Sequence, residues 1–297
     1  MFFDIVEDKL DIGGVHVDHI AFGRGEKPMV MIQGLNTRGI KGAGFQLAWM
    51  YRIFAKDYRV HLFDRRPDVR DGVTVRDLAE DVAAAMDVLG ITDADVLGVS
   101  QGGMIGQYLA IDRPDLIRRL VLAVTLSRNN TVVESVIDTW ITMTRESRYK
   151  ELVADMAEKM YSEAYLKRYK MFMPLLTVLQ KPKDAQRFMT LAKSCLTCNA
   201  YDELAEIKCP VLVIGGMKDM LVGGDASIEL AGKLAERIAN EAAEKTDLGV
   251  KIGQCGDSAV CSQKPPVTEI YMYENLGHAA YEEAKDFNKR VYRFFSA

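Results

Sequence analysis

The stretch Val96-Leu97-Gly98-Val99-Ser100-Gln101-Gly102-Gly103 constrains the fold more than any other part of this chain. It sets a serine in a Gly-x-Ser-x-Gly frame between an apolar run with strand character and a segment with helical character. A strand that turns sharply into a helix at such a frame holds its central residue in a strained conformation and exposes the hydroxyl at the sheet edge. Only glycine is tolerated close by, and Gly98 and Gly102 supply that tolerance. The helix that follows, Gly103 through Ile111, points its N-terminus at Ser100. Unpaired amides and the helix dipole favour negative charge there. Ser100 is therefore a candidate nucleophile, and an oxyanion formed beside it has a candidate donor in the backbone amide of Gln101.

The frame alone also occurs in ordinary turns, so its context decides. The apolar run Val211–Ile214 ends in Gly215-Gly216-Met217-Lys218-Asp219. Asp219 thus sits just beyond the C-terminal end of a buried strand, where ligand and catalytic groups gather in open α/β sheets. Thr268 through His278 reads as another strand followed by a Gly-His loop. The order along the chain is Ser100, Asp219, His278, each at a strand end. The competing readings are a capping or turn aspartate and an ordinary loop histidine. His16, His19 and His61 lie inside strand patterns and read as structural.

A serine hydroxyl is a weak nucleophile unless a base removes its proton as it attacks. His278 is the candidate base, and Asp219 is the candidate that fixes its tautomer and stabilises the imidazolium. None of this requires a cofactor or a metal, and no Gly-x-Gly-x-x-Gly or P-loop pattern argues for one.

Strands and helices alternate along most of the chain, which implies an α/β fold with a mostly parallel sheet, preceded by an N-terminal pair of strands that includes Val15–Phe22. Between Thr125 and Cys209 the strand signal vanishes, and amphipathic helices run from about Val132 to about Leu204. This organisation predicts a core made of residues 1–127 and 205–297, with a helical cap inserted at 128–204. The cap is rich in pliable apolar groups: Trp140, Met143, Met156, Met160, Tyr165, Tyr169, Met171, Phe172, Met173 and Met189. Most are expected to pack cap helices together, so none is singled out as a binding residue. Residues 245–266 carry glycines at 249, 253 and 256, end in Pro265-Pro266 and show little periodicity, which predicts a surface insertion. Tyr281, Ala284, Phe287 or Asn288, Val291 and Phe294 or Phe295 recur at helical spacing, predicting a C-terminal amphipathic helix that packs on the sheet.

At 297 residues, 48% hydrophobic, 27% charged and a formal net charge of −4, the chain has an ordinary globular composition with no sign of a nucleic-acid or anionic-membrane surface. No apolar run approaches a membrane span and the N-terminus does not read as a signal peptide, so a cytoplasmic location is the default expectation. Cys195 and Cys198 are spaced to share a helix face, and Cys255 and Cys261 flank five residues of the insertion. Neither pair has the context of a zinc or redox site, and incidental thiols are expected, with a Cys255–Cys261 disulfide as the alternative.

Taken together, these residues resemble the α/β-hydrolase superfamily over nearly the whole chain. Met29 through Gly34 is similar to the strand leading to the family's oxyanion loop, and Val60 through Pro67, with Asp64-Arg65, to its next strand and Asp-Arg turn. Thr74 through Ile91 resembles the helix before the serine turn, and Arg119–Thr125 the strand after it. Ser100 through Gln107, with Arg113-Pro114 through Thr125, is most similar to the enol-lactone hydrolase and small carboxylesterase branch. The resemblance implies a Ser100–His278–Asp219 triad, backbone amides of Leu35 and Gln101 as oxyanion donors, and a small-molecule carboxylic ester or lactone as substrate. Carbon–carbon or amide cleavage by the same triad, and a ligand-binding or receptor protein with vestigial turnover, are the alternatives. The chain departs from the family at Gln33-Gly34, where His-Gly is usual, and at Pro67-Asp68-Val69 and Val73-Thr74, where a Gly and a Ser are usual. Its connection from Asp219 to His278 is also longer. Asp64 is expected to organise loops rather than to perform chemistry.

Overall fold

The computed structural model describes residues 3–169, 180–247 and 268–297. Eight strands form one sheet: β1 (Val6–Asp11), β2 (His16–Phe22), β3 (Lys27–Ile32), β4 (Tyr58–Phe63), β5 (Ala94–Val99), β6 (Ile117–Ala123), β7 (Val211–Gly216) and β8 (Thr268–Tyr273). Their spatial order is β1-β2-β4-β3-β5-β6-β7-β8. β1 and β2 pair antiparallel, β2 lies antiparallel to β4, and from β4 to β8 every neighbouring pair is parallel. The expected N-terminal strand pair is the antiparallel edge of an otherwise parallel sheet.

β5 and β7 are buried at every position and apolar except for Asp95 of β5, whose carboxylate is paired with Arg118. That is what a central strand covered on both faces requires. Alternate side chains of these strands feed two apolar layers. On one face Val30, Ile32, Val96, Leu120, Leu122 and Val213 pack beneath α2 (Val75–Val88) and α3 (Gln101–Asp112). On the other, Met29, Met31, Leu97, Val121 and Ile214 pack against α1 (Gly44–Met50) and the C-terminal segment. Helix α2 begins where Thr74 and Asp77 form a reciprocal capping box, which satisfies amides that the first turn leaves without acceptors.

Between β6 and β7 the described helices are α4 (Thr131–Arg145), α5 (Tyr149–Met160), α6 (Glu163–Tyr169) and α7 (Ala185–Cys195), followed by a 3-10 turn at Tyr201–Glu206. The side chains of Asn130 and Asp184 cap α4 and α7 by accepting from the amides of Val133 and Arg187. Met171, Phe172 and Met173 lie outside the described residues, as do Cys255 and Cys261.

Three local readings are revised. The stretch expected to leave the core at Lys245 is still helical at its start, because α8 spans Ala226–Asp247. The single C-terminal helix is two, α9 (Ala280–Glu283) and α10 (Phe287–Ser296), with Ala284 as an extended residue after the first. α10 packs Phe287, Val291, Phe294 and Phe295 onto the sheet, and Ala280 of α9 joins the same apolar layer. Finally, Cys195 is the last residue of α7 and Cys198 lies beyond it, so they share no helix face. Both thiols are buried, and burial pushes them up, to about 11 and about 12, as suits unreactive core groups.

Among the described residues no helix is long and apolar enough to cross a membrane.

Candidate active site

β5 ends at Val99, and the chain reverses into α3 at Ser100, whose φ of 55° and ψ of −121° lie outside the regions open to ordinary L-residues. Strain of this kind costs about 1–3 kcal/mol and persists only where the surroundings over-determine it. Here the Ser100 amide donates to the Ala123 carbonyl at 2.9 Å, while the Ser100 carbonyl accepts from Gly103 N and from Thr125 Oγ1, both at 2.8 Å. The turn closes because Gly102 has no side chain: a Cβ there would lie 1.9 Å from the Ile32 carbonyl oxygen.

Asp219 follows β7 and His278 follows β8, as their positions after strand-like segments predict. The fold brings both to Ser100. His278 Nε2 lies 2.8 Å from Ser100 Oγ, and His278 Nδ1 lies 2.8 Å from Asp219 Oδ2. The second carboxylate oxygen, Asp219 Oδ1, accepts from the amides of Leu221 at 2.8 Å and Val222 at 3.0 Å. Asp219 and His278 are both buried, at 7% and 2% exposure, whereas Ser100 remains partly accessible. With Nδ1–H donating to the carboxylate, Nε2 is left as an acceptor for the serine hydroxyl, which is the tautomer a general base needs.

The amide of Gln101 belongs to the first residue of α3, so it has no acceptor within the helix. Gly34, immediately before Leu35, approaches the serine closely: a Cβ on Gly34 would lie 3.2 Å from Ser100 Cβ. The backbone at residues 34–35 and the start of α3 therefore flank Ser100 from two sides.

Some of the surrounding framework was not legible in the sequence. Gln101 also has a side-chain role: its Nε2 donates to the Leu191 carbonyl at 2.8 Å and to Ser194 Oγ at 3.2 Å, tying the serine turn to α7. Arg65 Nη2 donates to the Gln33 carbonyl at 2.6 Å and so holds the loop ahead of Leu35. The Gln33 side chain, which stands where the family usually has histidine, buries its Nε2 without a partner among the described residues. Asp64 does organise loops, accepting from the amides of Ile40 at 3.2 Å and Arg65 at 2.7 Å.

The strand histidines are also accounted for. His19 Nδ1 meets Asp8 Oδ1 at 2.7 Å and His19 Nε2 meets His61 Nδ1 at 3.1 Å, with the two rings stacked. All of this lies on β1, β2 and β4, away from the C-terminal ends of β5, β7 and β8.

A cavity of about 260 Å³ opens between Leu35 and the segment after His278. Val153, Met156, Ala157 and Met160 of α5 form its apolar wall. Of the apolar groups noted between β6 and β7, Met156 and Met160 line this space. Trp140 does not: it is 4% exposed, and its Nε1 donates to Asp155 Oδ2 at 2.7 Å, locking α4 to α5. Among the described residues no three His, Cys, Asp or Glu side chains converge to hold a metal ion.

Comparison with known proteins bears on the family and the fold. The alpha/beta hydrolase fold family matches residues 23–249. A putative carbamate hydrolase RutD of Caulobacter sp. (strain K31) is 27% identical over 214 residues, covering 69% of this chain and 78% of that protein. The 3-oxoadipate enol-lactonase 2 of Acinetobacter baylyi is 23% identical over 221 residues, covering 72% and 79%. Among solved structures, the enol-lactonase from Burkholderia xenovorans LB400 superposes with a TM-score of 0.77 at 19% identity, covering 98% of this chain and all of that one.

Proposed function

Because this chain belongs to the alpha/beta hydrolase fold family and is an enzyme of that family, we propose that it is a serine hydrolase that cleaves a carboxylic ester or lactone of a small molecule through an acyl-serine intermediate. The observation that carries this reading is the unbroken chain of contacts Asp219 Oδ2–His278 Nδ1 and His278 Nε2–Ser100 Oγ, each 2.8 Å.

In the first half-reaction Ser100 Oγ attacks the carbonyl carbon while its proton passes to His278 Nε2. The carbonyl oxygen becomes an oxyanion and accepts from the amides of Leu35 and Gln101. One such donor is worth about 3 kcal/mol in the transition state of acyl transfer. The buried Asp219 carboxylate stabilises the imidazolium and is itself held by the Leu221 and Val222 amides. Collapse of the tetrahedral species breaks the carbon–oxygen bond, and the alcohol leaves with the proton from His278. In the second half-reaction water attacks the acyl-serine, giving its proton to His278, and the serine is regenerated with release of the acid.

The same reading assigns residues 128–204 as a cap over a core of residues 1–127 and 205–297. Its support is that α5 walls the cavity beside Leu35 and α7 is bonded to Gln101.

A second reaction, cleavage of a carbon–nitrogen bond by the same triad, is favoured by the relatives named as putative carbamate hydrolases. The deciding experiment uses a fluorophosphonate with peptide mapping, then matched ester, lactone and carbamate substrates. Labelling at Ser100 with preferential ester or lactone turnover supports the first reading. Labelling with preferential carbamate turnover supports the second, and an adduct elsewhere removes both.

A further inference from the structure

The cavity beside Leu35 is apolar along α5, but its far wall carries a carboxyl group. Glu282 lies in α9, four residues after His278, and lines the cavity together with Tyr161 at the end of α5. Tyr161 Oη donates to Glu282 Oε2 at 2.7 Å. The tyrosine is itself held by a stacked ring, Tyr165, at 4.6 Å. Neighbouring Glu283 has a different task, because its two oxygens accept from the amide and hydroxyl of Ser162 and fasten the start of α6. Glu282 is the one of the pair turned to the cavity.

No lysine or arginine lines this cavity among the described residues. Desolvation by the surrounding protein pushes the Glu282 carboxyl above the usual carboxylate range, although the residue is exposed at the rim of the cavity. A carboxyl at the rim of a cavity with one apolar wall and no cation among its described lining residues attracts a hydrogen-bond donor or a cation and repels an anion. Water screens the effect in part, because Glu282 is exposed.

We propose that Glu282, anchored by Tyr161, selects substrates whose substituent carries an ammonium or another hydrogen-bond donor at the end of a short apolar chain, and rejects those that carry a carboxylate there. This rests on the serine hydrolase reading. The apolar wall of Val153, Met156, Ala157 and Met160 receives the chain, and Glu282 receives its terminus. Like-charge juxtaposition in such a site is an effective means of rejecting the wrong partner.

The test compares kcat/KM at pH 7.5 for nitrophenyl esters of hexanoate, 6-aminohexanoate and mono-adipate. A parallel series of butyrate esters carries the same three termini on the alcohol side. The expected result is that the ammonium substrate exceeds the carboxylate substrate at least about tenfold in one of the two series, equivalent to about 1.4 kcal/mol. Glu282→Gln should bring that ratio to within about twofold of unity, and Tyr161→Phe, which keeps the ring but leaves the carboxyl with Tyr281 as its tyrosine partner, should reduce it partially. The wild-type ratio is decisive whether or not the variants fold. A ratio near or below one in both series overturns the proposal, and so does a wild-type preference that Glu282→Gln leaves intact. Labelling of Ser100 by a neutral fluorophosphonate is measured alongside. Labelling without charge preference overturns the selectivity alone, whereas no labelling and no turnover of any ester overturns the selectivity and the nucleophile assignment together.

Discussion

The amide of Ala279 donates to the carbonyl of Met160 at 2.8 Å, so the loop that carries His278 is stitched to the end of α5. The proposed base and the helix that walls the neighbouring cavity are thereby joined through the main chain. On the proposed mechanism, a substrate pressed against α5 bears on the loop of the residue that takes the Ser100 proton. Changes in α5 should for this reason alter turnover as well as affinity.

Ser100→Ala should abolish fluorophosphonate labelling and reduce ester turnover by several orders of magnitude. The fold should survive, since the strained backbone is held by main-chain bonds to Ala123 and Gly103 rather than by the hydroxyl. Intact mass and circular dichroism check both halves. Retention of wild-type turnover would remove Ser100 as nucleophile.

Asp219→Asn keeps an acceptor for the Leu221 and Val222 amides but presents an N–H₂ or a neutral oxygen to His278. The imidazole then loses the partner that sets its tautomer, and kcat should fall by about 10⁴. His278→Ala should fall by a similar factor. The double variant should be scarcely worse than the worse single one, because groups that act as a unit are not additive. Full activity of Asp219→Asn would mean that another acid orients the histidine.

Trp140→Ala should destabilise the protein by about 3–5 kcal/mol, as expected for truncating a buried aromatic, and should leave acyl-chain preference unchanged. Met156→Ala enlarges the cavity wall and should shift that preference toward longer chains, at about 0.8 kcal/mol per buried methylene. Urea denaturation and an ester chain-length series separate the two. The assignment of the cavity fails if Trp140→Ala moves the profile and Met156→Ala does not.

Gly102→Ala places a methyl group into the Ile32 carbonyl, where backbone rather than a flexible side chain must yield. It should cost about 1–3 kcal/mol or more in stability. It should also reduce turnover, because β3 leads directly to Gly34 and Leu35. A variant with unchanged melting and unchanged kcat would contradict the tight serine turn.

Burial lowers the pKa of both His19 and His61, in the latter case to about 4, with the facing charges Asp8 raising them and Arg59 lowering them. The contact between His19 and Asp8 favours the charged ring, but His19 is 4% exposed and its other nitrogen faces His61, so desolvation dominates. Both histidines are therefore held neutral in the fold. Between pH 6.5 and about 4 the unfolded chain binds more protons than the folded one, so stability should be full above about 6.5 and decline as the pH falls toward 4. His61→Gln should flatten that decline in urea titrations at pH 7, 5.5 and 4.5. An unchanged slope would place the acid sensitivity elsewhere.

Much of this molecule is legible in the chain itself. The parallel sheet follows from apolar runs such as Val96–Val99 and Val211–Ile214, because a strand buried on both faces is mostly apolar. The turn at Ser100 follows from Gly98 and Gly102, since local sterics admit few residues there. Asp219 and His278 stand out because each follows a strand, and the C-terminal edge of a parallel sheet is where side chains converge. Local signals of this kind depend only on neighbours in sequence.

Tertiary structure decided what depends on distant partners. The break of the C-terminal helix at Ala284 sets Glu282 on the cavity against Tyr161 while Phe287 and Val291 pack on the sheet, and helical spacing alone reads both segments as one. Trp140 and Met156 belong to the same apolar periodicity, yet one is locked to Asp155 and the other faces a cavity. The Gln101 side chain reaches α7 across 90 residues, and Arg65 reaches Gln33 across 32. Hydrophobic periodicity specifies that a face is buried. It does not specify against what, because burial is non-directional while each hydrogen bond and each cavity wall requires a particular partner brought close by the rest of the fold.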